Sequence, residues 1–293
     1  MSLPASASNA ERTPPGCYRH SDRPTYIVCQ RCSKPICPEC QTQAAVGVIC
    51  PECRSGQRAA APKRSARSFF RVAGTSTPVV TLSIIALTTF VFLLQLIPAL
   101  GVTAALQYAP IYSFGEYANA GQAPYEPWRM LTSVFTHSPG FIFHILLNMY
   151  TLWIFGQILE SMLGRARYVT LYLTTGLAGS VGVMFLSSPT TAVVGASGAI
   201  FGLLGAFLII QRKLGGNTTS LLILVGINLV MGFLPGLNVA WQAHLGGLIA
   251  GVLLGLVFVQ TRRITQRRAQ LAWTVTIIVI VVGLSLSHAP MFV

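Results

Sequence analysis

Beyond residue 77 the chain is a succession of long apolar stretches divided by short polar ones. No charged residue falls between Val72 and Phe114, and residues 79–96 are apolar for long enough to cross about 30 Å of hydrocarbon. Pro78 suits the first turn of that helix, where its missing N–H would have no partner anyway. Further apolar stretches follow at 141–158, 168–187, 196–210, 221–234, 243–259 and 271–286. The pattern predicts an all-α polytopic membrane protein with seven spans. Before residue 78 the pattern is different: residues 1–16 hold no apolar segment, 17–53 carry all the cysteines, and 54–77 form a basic linker with Arg58, Lys63, Arg64, Arg67 and Arg71. No cleavable signal is expected, so the first span itself directs insertion.

Charge sets the orientation. The 293 residues include 20 Lys and Arg against 7 Asp and Glu, a net charge of +13 that on its own could suggest nucleic acid. Eleven of the basic residues precede Val72, and Arg165, Arg167, Arg212, Lys213, Arg262, Arg263, Arg267 and Arg268 fall in loops on that same side of the membrane. The positive-inside rule makes that side cytoplasmic, with a cytoplasmic N-terminus, an external C-terminus and a location in the cell membrane. Topology and attraction to anionic lipid account for the charge, and no nucleic-acid partner is expected. Arg129 is the exception, beside Trp128 in a long external loop.

The head carries Cys17-x2-His20, Cys29-x2-Cys32, Cys37-x2-Cys40 and Cys50-x2-Cys53. Eight such ligands suit two closed, tetrahedral, structural zinc sites, which would fold a segment too small for a core of its own. An odd cysteine count in a reducing compartment argues against disulfides. Spacing leaves the ligand pairing open. The order resembles B-box-type zinc domains, and that resemblance implies alternation: Cys17, His20, Cys37 and Cys40 on one ion, Cys29, Cys32, Cys50 and Cys53 on the other. A cytoplasmic protein partner or a regulatory role is the expected use of such a head.

Within the body, polar residues gather near one depth. His144 and Asn148, four apart on one helical face, fall in the outer part of the second span, and His244 lies about 5 Å into the sixth. Ser197 opens the fourth span in Gly195-Ala-Ser-Gly198. A serine hydroxyl needs a base to become a nucleophile, and a neutral imidazole can serve. Ser197 and His244 are the candidate pair; His144, Asn148 and the Ser197 backbone N–H are candidate oxyanion donors. No carboxylate lies at this depth to orient the base, and Phe201, one turn beyond Ser197, is placed to stack on it. Gly198 and Gly202, and Gly247, Gly251 and Gly255, make small-residue faces through which the fourth and sixth spans could meet. His137 and His288 are expected to face solvent.

These residues, G-A-S-G-A around Ser197, A-H-L-G-G around His244, H-I-L-L-N from His144 to Asn148, and Trp128-Arg129, resemble the rhomboid intramembrane proteases over about residues 78–288. The resemblance implies a six-helix core plus a seventh span. It implies a serine endopeptidase that needs no catalytic cofactor, with Ser197 as nucleophile, His244 as base and His144 and Asn148 at the oxyanion. Its substrates would be transmembrane or membrane-anchored proteins cut near the outer surface. The fifth span and the following loop, with Gly232, Pro235 and Gly236, would act as a gate to a water-filled cavity. The alternative is a non-catalytic relative that binds or escorts membrane helices. A transporter would instead place charges or broken helices near the midplane.

Overall fold

The computed structural model describes residues 14–44, 47–60, 77–232 and 239–289. The N-terminal segment up to residue 13, most of the basic linker (61–76) and the outer turn with Pro235 and Gly236 lie outside them. Helix accounts for 67% of the structure and strand for 4%, and the chain forms two compact units, Met1–Phe70 and Arg71–Val293.

The first unit has two short antiparallel strands, β1 (Thr42–Gln43) and β2 (Val48–Ile49), followed by helix α1 (Pro51–Ala60). Its buried residues are chiefly five of the cysteines with Ile36 and Ile49. Surface ion pairs join Arg23 to Glu39 at 2.6 Å and Lys34 to Glu52 at 2.9 Å. The hydrogen bond from Arg23, and then its charge, hold the Glu39 carboxyl below the usual range.

The second unit is helical. Helix α2 (Val79–Gln95) breaks at Pro98 and continues at 101° into a loop bearing the short helices α3 (Val102–Leu106), α4 (Gly115–Asn119) and α5 (Arg129–Thr132). Then come α6 (Ile142–Leu163), α7 (Arg165–Leu186), α8 (Ser197–Lys213), α9 (Thr219–Met231), α10 (Trp241–Gln260) and α11 (Arg267–Ser285). A helix thus lies at each of the seven expected stretches. By length and apolarity, four among the described residues can cross a membrane, or five with the bent α2–α3 pair. Helix α8 falls short of a full crossing because it starts only at Ser197, after a non-helical stretch, and its 17 residues span about 26 Å. Large apolar side chains face outward along the body: Leu147 on α6, Val230 on α9, Leu271 and Val279 on α11. In water such a surface would be a liability; in lipid it is the required exterior. The protein is membrane-embedded.

Helices α7, α8 and α10 form the densest packing. A Cβ on Gly247 would lie 1.9 Å from the Gly198 carbonyl oxygen, and one on Gly251 would lie 2.0 Å from that of Gly202. Only glycine permits this approach of two backbones, and it fixes α10 against α8 in one register. At the opposite face, α2 enters without a capping side chain of its own. Glu160 of α6 supplies the cap from a distance, accepting bonds from the Val80 N–H (3.0 Å), the Thr81 N–H (2.8 Å) and the Thr81 hydroxyl (2.8 Å).

Candidate active site

Ser197 is the first residue of α8, where a backbone N–H has no acceptor within the helix. The approach to it is fixed from outside. Val193 pairs with Tyr108 through two backbone hydrogen bonds of 2.7 and 3.1 Å, and the Gly195 N–H donates to the Ser133 carbonyl at 3.0 Å. Gly195 has φ +127°, a conformation that an L side chain resists, and a Cβ there would meet the His144 ring at 2.8 Å. Glycine is therefore needed twice over, for the turn and for the imidazole seated on it.

His244 stands in the first turn of α10. Its Nε2 lies 2.9 Å from Ser197 Oγ, and the ring of Phe201 stacks on it at 4.1 Å with 7° between the planes. Phe201 is one turn along α8 from Ser197, so one helix carries the hydroxyl and also the face against which the imidazole rests. Among the described residues no carboxylate contacts His244 and its buried Nδ1 has no partner, so stacking and the close α8–α10 contact fix the ring in place of a third residue.

His144 is half-buried on α6 and accepts a long hydrogen bond, 3.5 Å, from the Ser138 N–H at Nδ1. With Nδ1 as the acceptor of that long contact, the ring proton would sit on Nε2, the nitrogen facing Gly195. The Asn148 amide, one turn further on, donates to the His144 carbonyl at 2.7 Å; its second N–H remains for another acceptor. The structure thus brings Ser197, His244 and Phe201 into contact and sets His144 against the turn before Ser197, with Asn148 beneath it.

One expectation fails. His137 is not solvent-facing: it is fully buried, its ring 5.0 Å from that of His144. The physical cause is Gln95 at the end of α2, whose amide holds both the His137 N–H and C=O at 2.9 Å and so ties that peptide inside the body. His288 is exposed, edge-on to Phe114 and Phe185. The long loop between α2 and α6 also matters more than its sequence suggests. Arg129 is buried; it pairs with Glu126, donates to the Ala104 and Gln107 carbonyls and lies 4.2 Å over the Tyr112 ring. Tyr108, Ser133 and Gln95, which hold the segments around Ser197 and His144, belong to no motif. Their only signal is polarity in an otherwise apolar context.

In the head, the eight ligands form two groups, Cys17–His20–Cys37–Cys40 and Cys29–Cys32–Cys50–Cys53, with the ligand atoms of each within 4.8 Å of one another. Tetrahedral zinc with bonds of about 2.3 Å to sulfur and 2.0–2.1 Å to nitrogen would place ligand atoms about 3.5–3.8 Å apart. The His20 Nδ1 lies 3.3 Å from Cys37 Sγ, 3.5 Å from Cys40 Sγ and 4.0 Å from Cys17 Sγ, and Cys32 Sγ lies 3.7 Å from Cys50 Sγ. A disulfide needs about 2.05 Å. The backbone N–H of Cys50 donates to Cys29 Sγ and that of Cys53 to Cys50 Sγ, orienting sulfurs inward as a thiolate site requires. These groups can hold two metal ions, paired in alternation.

Residues 124–261, which include the four polar residues of the membrane site, match the Rhomboid domain. The chain is 38% identical over 150 residues to the "Putative rhomboid protease YdcA" of Bacillus subtilis (strain 168), an alignment covering 49% of this chain and 73% of that protein. It is 38% identical over 146 residues to "Rhomboid protease GluP" of the same organism, 48% of this chain and 28% of that one. To "RHOMBOID-like protein 1" of Arabidopsis thaliana it is 40% identical over 142 residues, 46% of this chain and 35% of that protein. The chain belongs to the rhomboid family. The matched Rhomboid domain does not extend to the head.

Proposed function

We propose that the protein is an intramembrane serine endopeptidase that cuts transmembrane or membrane-anchored proteins near the outer membrane surface. The observation that carries this reading is the 2.9 Å contact of His244 Nε2 with Ser197 Oγ, made under a stacked Phe201. His244 takes the Ser197 proton as Oγ attacks the scissile carbonyl. The oxyanion forms beside the Ser197 N–H and the His144 Nε2–H, with Asn148 as a further donor. His244 then protonates the leaving amine, giving an acyl-serine, and draws a proton from water to hydrolyse it.

The seven helices at the expected stretches would form a six-helix core with α11 as a seventh span. Helix α9 and the loop after it would gate the substrate. Among the described residues only Leu221 and Val225 of α9 are buried, the fewest of any of the seven long helices. The head would lie in the cytoplasm, folded by two structural zinc ions and offered to a cytoplasmic partner.

Treatment of the purified protein with a fluorophosphonate probe, followed by mass spectrometry, tests the nucleophile. An adduct on Ser197 that is lost in Ser197→Ala is expected. No adduct in folded protein, together with no cleavage of a transmembrane substrate, would favour the non-catalytic, helix-binding reading.

A further inference from the structure

At the end of the body remote from Ser197, a cavity of about 190 Å³ opens between helix ends. Its floor is core: Leu163, Ile210 and Phe258, of which Ile210 and Phe258 are buried. Its rim carries three cations from three helices, Arg167 at the start of α7, Lys213 at the end of α8 and Arg262 just beyond α10. All three are exposed, and no carboxylate lines the cavity. The body has three acidic residues, Glu116, Glu126 and Glu160. The first two belong to the loop at the other end, and Glu160 is occupied by Val80 and Thr81, with Arg165 4.0 Å away. Among the described residues none of the three rim cations has an ion pair.

Cations on this side serve topology, but topology needs only their number. It does not explain why three helices bring a positive charge to one small apolar cavity where like charges repel without compensation. An anion with an attached apolar chain would answer both features. We infer that this cavity binds the phosphate headgroup of an anionic phospholipid, its acyl chain lying on the floor formed by Leu163, Ile210 and Phe258. The site lies where the helices end, the depth of lipid phosphates, and basic pockets between membrane helices take such headgroups. A bound lipid would join the far ends of α8 and α10, the helices that carry Ser197 and His244. The inference does not depend on the proteolytic reading.

Native mass spectrometry of the full-length, detergent-solubilised protein, titrated with phosphatidylglycerol and separately with phosphatidylcholine, tests it. One tight phosphatidylglycerol adduct is expected, with little phosphatidylcholine bound. The triple variant Arg167→Gln, Lys213→Gln, Arg262→Gln should weaken the adduct at least about tenfold, since each cation near lipid contributes substantially. Arg263→Gln, Arg267→Gln, Arg268→Gln removes the same charge outside the cavity and should leave it nearly unchanged. Equal loss in both variants, or none in the first, overturns the site. Displacement of the lipid by excess inorganic phosphate would make it a free-phosphate site and overturn the lipid assignment. Should the triple variant fail to fold, Lys213→Glu alone is expected to lose the adduct, and retention there would refute the inference equally.

Discussion

Among the described residues of the head, the buried side chains are mostly the candidate ligands themselves, supplemented by the buried aliphatic residues Ile36 and Ile49. In the body, the main core cluster draws on five helices, and its tightest seam contains no side chain at all, only Gly198 and Gly202 against Gly247 and Gly251. The head is therefore expected to depend on metal, which can supply about 10–16 kcal/mol to a structural site. The body depends instead on close backbone approach. A small polar segment and a lipid-soluble bundle would thus reach order differently, the first by cross-linking distant loops through bound ions, the second by removing every side-chain atom that would keep two helices apart.

The sharpest tests of the contrast lie in the body. Ser197→Ala and His244→Ala should each lower cleavage of a transmembrane substrate by about 10³-fold or more while the thermal melt in detergent stays unchanged. Full activity in either variant would remove the dyad. His144→Ala is expected to cost about 10²–10³-fold in kcat if its Nε2–H meets the oxyanion, and a change confined to KM would contradict that role. Gly247→Ala puts a methyl group where the Gly198 carbonyl stands, so the seam must open; a loss of about 1–3 kcal/mol in unfolding, with reduced cleavage, is expected. An unperturbed melt would show that the close contact does not hold the body.

Phe201→Leu keeps an apolar side chain but removes the stacked ring. Cleavage should fall by up to about tenfold, the equivalent of about 0.5–1.5 kcal/mol for an aromatic contact. The smallest effect on catalysis belongs to metal removal. Chelation, or Cys37→Ser, should unfold the head as followed by protease sensitivity of residues 14–60, while cleavage by the body stays within about twofold. A large fall in cleavage would break the contrast and give the head a part in catalysis.

Much of this was legible in the chain because the physics is local. A membrane helix must satisfy its own backbone and present apolar side chains, so each stretch of the sequence announced its helix. Two-residue gaps between cysteines and histidine announced the two candidate metal-binding groups in the same way. Even the Phe201 stack followed from helical spacing, because Ser197 and Phe201 share a turn. Helix α8 was harder to bound: its sequence is apolar from Ala196, but its start depends on Gly195, which is held by Ser133 and seated under His144.

The sequence by itself determined the helical class, the eight ligands, and the candidates Ser197, His244, His144 and Asn148, since these follow from composition, period and spacing along one chain. Tertiary structure decided which of the candidate ligands gather together, that His137 is buried rather than exposed, that Arg129 pairs with Glu126, and that Tyr108, Ser133 and Gln95 hold the approach to the site. The burial of His137 and the hold on the approach depend on groups far apart in the chain meeting through backbone carbonyls and amides, and every residue carries the same backbone groups whatever its side chain. Side-chain pattern therefore encodes where the helices form, while the hydrogen bonds that fix the loops between them are settled only when the folded backbone brings donor to acceptor.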